Sequence, residues 1–181
     1  MSTVKNTFVG LCIAVTLLLV SSTTVQAQVV AGSGDVAGYV GYFHMKLPTN
    51  SAIYGATGGY NVTPYITGLG EYGYAPVSSG IHVQIYGGGA RFNLMPNKKL
   101  VPYGIFTGGG NRIAGGGGGD NGYYISVGGG ASCYLSKNWG VRPEFRYLRN
   151  DFTEGGSSIS LNDLVVTGGV FYQWGGKGKK K

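Results

Sequence analysis

Between residues 36 and 174 apolar side chains tend to recur at every second position, in segments of about ten residues that end in turn-forming residues. A period of two places successive side chains on opposite faces of an extended chain, so each segment reads as a β-strand with one apolar and one polar face. Eight such segments are predicted: Val36 to Met45, Ala52 to Tyr60, Tyr65 to Tyr74, Ile81 to Leu94, Val101 to Gly110, Gly122 to Tyr134, Gly140 to Phe152 and Ser160 to Trp174. No stretch holds a 3.6-residue period over a useful length. No run after residue 27 is apolar enough to cross a membrane as a helix.

The alternation is clearest in the last three segments. In the seventh, Arg142, Glu144 and Arg146 share one face, opposite Val141, Pro143, Phe145 and Tyr147. The eighth sets Leu164, Val166, Gly168, Val170, Tyr172 and Trp174 against Asp163, Val165, Thr167, Gly169, Phe171 and Gln173. The sixth sets Tyr123, Ile125, Val127, Ala131 and Cys133 against Ser126, Ser132 and Gly-rich positions. The apolar face of these three segments reads as free of charge, which a lipid-facing surface demands, since Arg or Lys at the bilayer midplane costs about 2–4 kcal/mol. The fourth segment is less orderly. Arg91 falls in phase with Val83 and Ile85, which predicts either a bulge or a strand that projects beyond the membrane.

The connections alternate in kind. Three are tight and turn-rich: residues 61–64, 95–99 and 136–138. Four others, Lys46 to Ser51, Ala75 to Gly80, Asn111 to Asn121 and Thr153 to Ser158, read as polar or Gly-rich loops. Three turns at one end and four loops at the other describe an eight-strand meander with both chain ends on the turn side. In hydrocarbon every backbone N–H and C=O must pair within the protein, and with no spanning helix only a closed barrel does this. The expected fold is therefore all-β: an eight-stranded antiparallel up-and-down transmembrane β-barrel. Side chains nearly fill a barrel of this size. The Gly runs at 87–89, 108–110 and 128–130 would make room for bulky neighbours.

Composition supports this reading. The chain holds 36 Gly and 14 Tyr among 181 residues, too much Gly for long helices and too many aromatics for a disordered chain. Met1 to Ala27 reads as a secretory signal peptide. It has Lys5 in the n-region, a 13-residue apolar run from Phe8 to Val20, and small residues at a cleavage site between Ala27 and Gln28. The expected organisation is a signal peptide at 1–27, a barrel at 28–174 and a Lys-rich, disordered tail at 175–181. Cys133 is then the single cysteine, so no internal disulfide is available. The formal charge of +7 resides largely in Lys177, Lys179, Lys180 and Lys181, so the body lacks the basic face of a nucleic-acid-binding domain.

Asn138 to Tyr147, with Arg142-Pro143-Glu144-Phe145-Arg146 at its centre, resembles the penultimate strand of the small OmpA-like outer membrane protein β-barrel domain family. Tyr86 to Asn93 followed by Val101-Pro102-Tyr103-Gly104 is similar to that family's fourth and fifth strands. Gly168 to Trp174 looks like its closing strand. The resemblance implies an outer-membrane location, outer-membrane lipid around the barrel, and insertion by the barrel-assembly machinery through a closing-strand signal at Val170, Tyr172 and Trp174. It also implies a lumen charge network at Arg91, Arg142, Glu144 and Arg146, with Glu71 as a further candidate. Two departures stand out: seven residues follow Trp174, and no peptidoglycan-binding domain follows the barrel region.

Catalytic and cofactor chemistry finds little support. His44 and His82 lack the neighbours of a nucleophilic triad, and two histidines with one cysteine do not converge into a metal site. The Gly runs lack the Lys-Ser/Thr of a phosphate loop. No catalytic residue, metal or cofactor is expected. The leading expectation is a non-enzymatic, monomeric outer-membrane barrel with a structural or surface-interaction role. A narrow solute channel, a lipid-modifying enzyme and a soluble exported β-barrel are the alternatives.

Overall fold

The computed structural model describes residues 29–44, 51–78, 80–115, 118–154 and 157–175. The predicted signal peptide and its predicted Ala27–Gln28 cleavage site, most of the first predicted loop, and residues 176–181 of the predicted Lys-rich tail lie outside the described residues, while Gly175 ends the last strand. Eight strands follow one another: β1 (Ser33–His44), β2 (Ser51–Asn61), β3 (Ile66–Ser78), β4 (Ile81–Asn93), β5 (Leu100–Gly115), β6 (Gly118–Tyr134), β7 (Trp139–Glu154) and β8 (Ser157–Gly175). Each pairs antiparallel with its neighbours, and β8 pairs with β1, so the sheet closes on itself. The predicted eight-stranded up-and-down barrel is the observed fold.

The register fixes the shape. A circuit that leaves β1 at Gly34 passes Tyr60, Gly68, Ala90, Phe106, Val127, Tyr147 and Leu164, and returns to β1 at His44, ten residues further along. This stagger tilts the strands by about 40°. About ten residues of each tilted strand then span the roughly 25 Å of an outer-membrane apolar band.

The outward face carries that band. At its lower edge, on the side where β1 begins and β8 ends, stand Tyr60, Phe92, Trp139 and Trp174, all exposed; at its upper edge stand Tyr42, Tyr54, Tyr86 and Tyr147. Aromatic rings in two girdles suit the two interfaces of a bilayer. The other outward positions of the band are apolar or Gly, among them Val40, Tyr72, Phe106, Ile125, Pro143 and Leu164.

Three differences from the sequence reading stand out. First, three of the upper loops are shorter than expected. Backbone pairing continues through Ser78, Gly115 and Glu154, where polar residues stay in extended hairpins, so β3–β4, β5–β6 and β7–β8 are joined by two residues each, fewer than in the lower turns at 62–65, 94–99 and 135–138. Second, β4 has no bulge. Val83, Ile85 and Arg91 all face inward, because the upper lumen is apolar; the register shift lies in β3, between Pro76 and Ser78. Third, the apolar face of β7 is not wholly uncharged: Arg149 shares it, just above the upper girdle, where its side chain is 59% exposed. Cys133, assigned by alternation to the apolar face of β6, is buried. The ladder lapses nearby at Ala131 and Ser132, opposite Pro143, which has no N–H to donate.

Inward-facing glycines create the space for large rings. A Cβ on Gly130 would lie 2.6 Å from the Tyr103 hydroxyl, one on Gly87 2.6 Å from the Tyr124 hydroxyl, and one on Gly55 2.5 Å from the Tyr39 hydroxyl. Gly130→Val should therefore cost about 1–3 kcal/mol through overpacking. Urea denaturation of the barrel folded in vesicles would show this as a lower midpoint, whereas Gly58→Val, whose Cβ would meet open space, should leave it nearly unchanged.

Candidate functional site

The charged residues named from the sequence all belong to the inward-facing set of their strands. Glu71 (β3), Arg91 (β4), Arg142 and Arg146 (β7) are buried, and Glu144 is half-buried. Hydrogen bonds arrange them in two clusters, and the Arg91 guanidinium of one lies 5.5 Å from the centre of the Tyr103 ring of the other. In the lower cluster the Asp35 carboxylate takes Arg91 Nη2 at 2.5 Å on one oxygen and Arg142 Nη1 at 3.0 Å on the other. Arg142 Nε also donates to Ser132 Oγ at 3.1 Å, and its guanidinium lies 4.5 Å from the centre of the Phe171 ring. In the upper cluster Arg146 joins two acids: Nε donates to Glu144 Oε1 at 2.6 Å, and Nη1 donates to Glu71 Oε2. Two tyrosines complete it. Tyr103 donates to Glu144 Oε2 and Tyr124 to Glu71 Oε1, both at 2.7 Å.

Three arginines thus meet three carboxylates. The lower cluster carries a net positive charge and the upper a net negative one. Burying such ions is tolerable only when partners replace their water, and every one of these carboxylates accepts two bonds. Between the clusters lies a cavity of about 20 Å³, bordered by Tyr39, Arg91, Arg142, Glu144 and Arg146. That is room for one or two water molecules.

Apolar layers lie above and below the ions. Above them Phe43, Ile53, Val83, Ile85, Leu148 and Val165 pack together across the barrel. Below them Val101, Tyr134 and Phe171 pack with Val29, which precedes β1 and donates its N–H to the Pro96 carbonyl at 3.0 Å. Val29 and the β4–β5 turn cover the lower mouth.

Asp35 is the residue that sequence reading missed. β1 begins at Ser33, whereas the alternation predicts a first strand from Val36, one residue short of Asp35. Its signal was present, since it is in phase with Ala37 and Tyr39, and both line the same cavity. The closing-strand residues Val170, Tyr172 and Trp174 face outward. Tyr172 lies 4.8 Å from Trp139, and the Trp174 ring covers Gly34 of β1 at the β8–β1 seam. His44 and His82 sit at upper strand ends, stacked on Tyr42 and Tyr74. Among the described residues no group of three His, Cys, Asp or Glu side chains could hold a metal ion.

Fold and lumen together define the class: an eight-stranded transmembrane β-barrel with a side-chain-filled interior. Known structures of that class share its fold. Neisserial surface protein A superposes with a TM-score of 0.66 at 14% identity, covering 80% of this chain and 98% of that one. The N-terminal β-barrel domain of Pseudomonas aeruginosa OprF gives 0.61 at 15%, covering 80% and 98%. The outer membrane protein OprG of the same organism gives 0.52 at 10%, covering 83% and 99%. No protein-family profile matches the chain, and no curated protein does.

Asp35→Asn should leave Arg91 and Arg142 buried beside a neutral side chain and cost about 3–5 kcal/mol. Removing the exposed partner in the Arg149–Asp151 pair, by Arg149→Ala, should cost about 0–1 kcal/mol. Equilibrium unfolding of the two variants side by side would test that ranking.

Proposed function

We propose that this chain is a non-enzymatic outer-membrane barrel of the OmpA-like kind, exported by a cleaved signal peptide, whose role is structural or surface-interacting. The observation that carries this reading is the filled lumen. An apolar layer packs across it above the ion pairs, Val29 and its neighbours pack across it below, and the cavity at the ion pairs has room for only one or two waters. A solute channel would need hydration along its whole length.

Insertion by the barrel-assembly machinery fits the outward Val170, Tyr172 and Trp174 on β8, the strand that seals the barrel. The outward band suits direct contact with outer-membrane lipid, as a monomer. Membership of the OmpA-like group rests on the residue resemblance and on the shared barrel architecture. No cofactor enters this reading.

Two measurements test it. Membrane fractionation with a heat-modifiability gel should place the protein in the outer membrane and show a band that shifts on boiling; a soluble, unshifted protein would refute the proposal. In planar bilayers the wild-type barrel should give no discrete conductance steps. Regular single-channel steps would transfer the assignment to the narrow-channel alternative.

A further inference from the structure

The two outward-facing arginines of the upper rim occupy matching places. On β5, Gly110 lies beneath the ring of Tyr86 in the upper girdle, and Arg112 is the next outward residue above it. On β7, Arg149 is the next outward residue above Tyr147. Both side chains are exposed. Below them, down to the lower girdle, the described outward positions hold no charge. The equivalent places above Tyr54 on β2 and Tyr74 on β3 are Ala52 and Pro76. Among the described residues the outward-facing cations of the upper rim therefore lie on one side of the barrel, at the height where apolar chains give way to headgroups.

Their register neighbours are hydrogen-bonding side chains, except that Ile125 of β6 stands opposite Arg149. Arg112 is flanked in register by Gln84 and Asn121, and Arg149 by Asn162. Among the described residues Arg112 has no ionic or hydrogen-bond partner. Arg149 is tethered by one edge: Nε donates to Asp151 at 3.3 Å, and Nη2 to Ser160 at 3.5 Å. Asp151 accepts a further bond from the Ser160 hydroxyl, and its ionised form is held mainly by that bond. Asp120, the nearby exposed acid of β6, has the opposite alternation and belongs to the lumen-side set. An exposed guanidinium fork, fixed on a strand at the membrane surface, matches phosphate oxygens in charge and geometry.

We propose that the β5–β7 sector of the upper rim is a docking site for phosphorylated lipid headgroups, with Arg112 as the principal phosphate contact and Arg149 as the second. This rests on the reading of the chain as a membrane-spanning barrel. It adds an orientation in the lipid plane, because the described residues of β2 and β3 offer no such contact.

The test uses the full barrel in phosphatidylcholine nanodiscs doped with either diphosphoryl lipid A or the same lipid A dephosphorylated. Lipid retained after mild detergent extraction is read by native mass spectrometry. Wild type should retain the phosphorylated form in about tenfold preference, equivalent to about 1.4 kcal/mol. Arg112→Gln should lose most of that preference, Arg112→Lys should keep part of it, and the Arg112→Gln/Arg149→Gln pair should show none. Equal retention of both lipids by wild type, undiminished preference in the double variant, or displacement of the lipid by inorganic phosphate would each overturn the assignment. A heat-modifiable band in every nanodisc confirms that the barrel has inserted. Its absence from all of them would instead refute the membrane-spanning reading itself.

Discussion

Backbone pairing in hydrocarbon is the constraint from which the rest of this structure follows. A strand in lipid cannot leave its N–H and C=O groups unmet, so β8 must return to β1. Once eight strands close with a ten-residue stagger, the bore is set, and the inward side chains must fill it. Large rings reach across only where the facing residue has no side chain, which explains the pairing of Tyr103 with Gly130 and of Tyr124 with Gly87. The high glycine content is thus partly a packing requirement of a narrow tube.

The same narrowness explains the ion pairs. Except for Glu144 and Arg146, neighbours on β7, the partners lie far apart in sequence, Asp35 and Arg142 by 107 residues, and their contacts tie one wall of the barrel to another. Removing one member strands its partner in a medium that cannot solvate it. The clusters therefore serve register as well as charge balance. A slip of one residue would turn Arg142, Glu144 and Arg146 into the membrane.

The number and order of strands were legible because alternation survives in Val141 to Tyr147 and Leu164 to Trp174, where a lipid face and a lumen face impose opposite chemistry. The ends were less legible. Above the upper girdle both faces of β5, β6 and β7 meet polar surroundings, alternation loses its meaning, and residues such as Asn111 and Asn121 resemble loop although they sit in ladders. The upper lumen misled for the opposite reason. Val83 and Ile85 are apolar and face inward, so hydropathy alone gave no sign of which side they line. The five charged lumen residues could be named because charge in the middle of a barrel strand has only one affordable direction. Asp35 was missed because it stood one residue outside the predicted strand.

The separation of the lumen ions into a positive lower cluster and a negative upper one makes the interior an axial electric dipole. It lies along the membrane normal and is clamped by the tyrosines and by the strands themselves. A voltage across the bilayer pulls the two ends in opposite directions with equal force. The two clusters together carry no net charge and feel no net drive toward either side, and according to its sign the voltage draws them apart or presses them together.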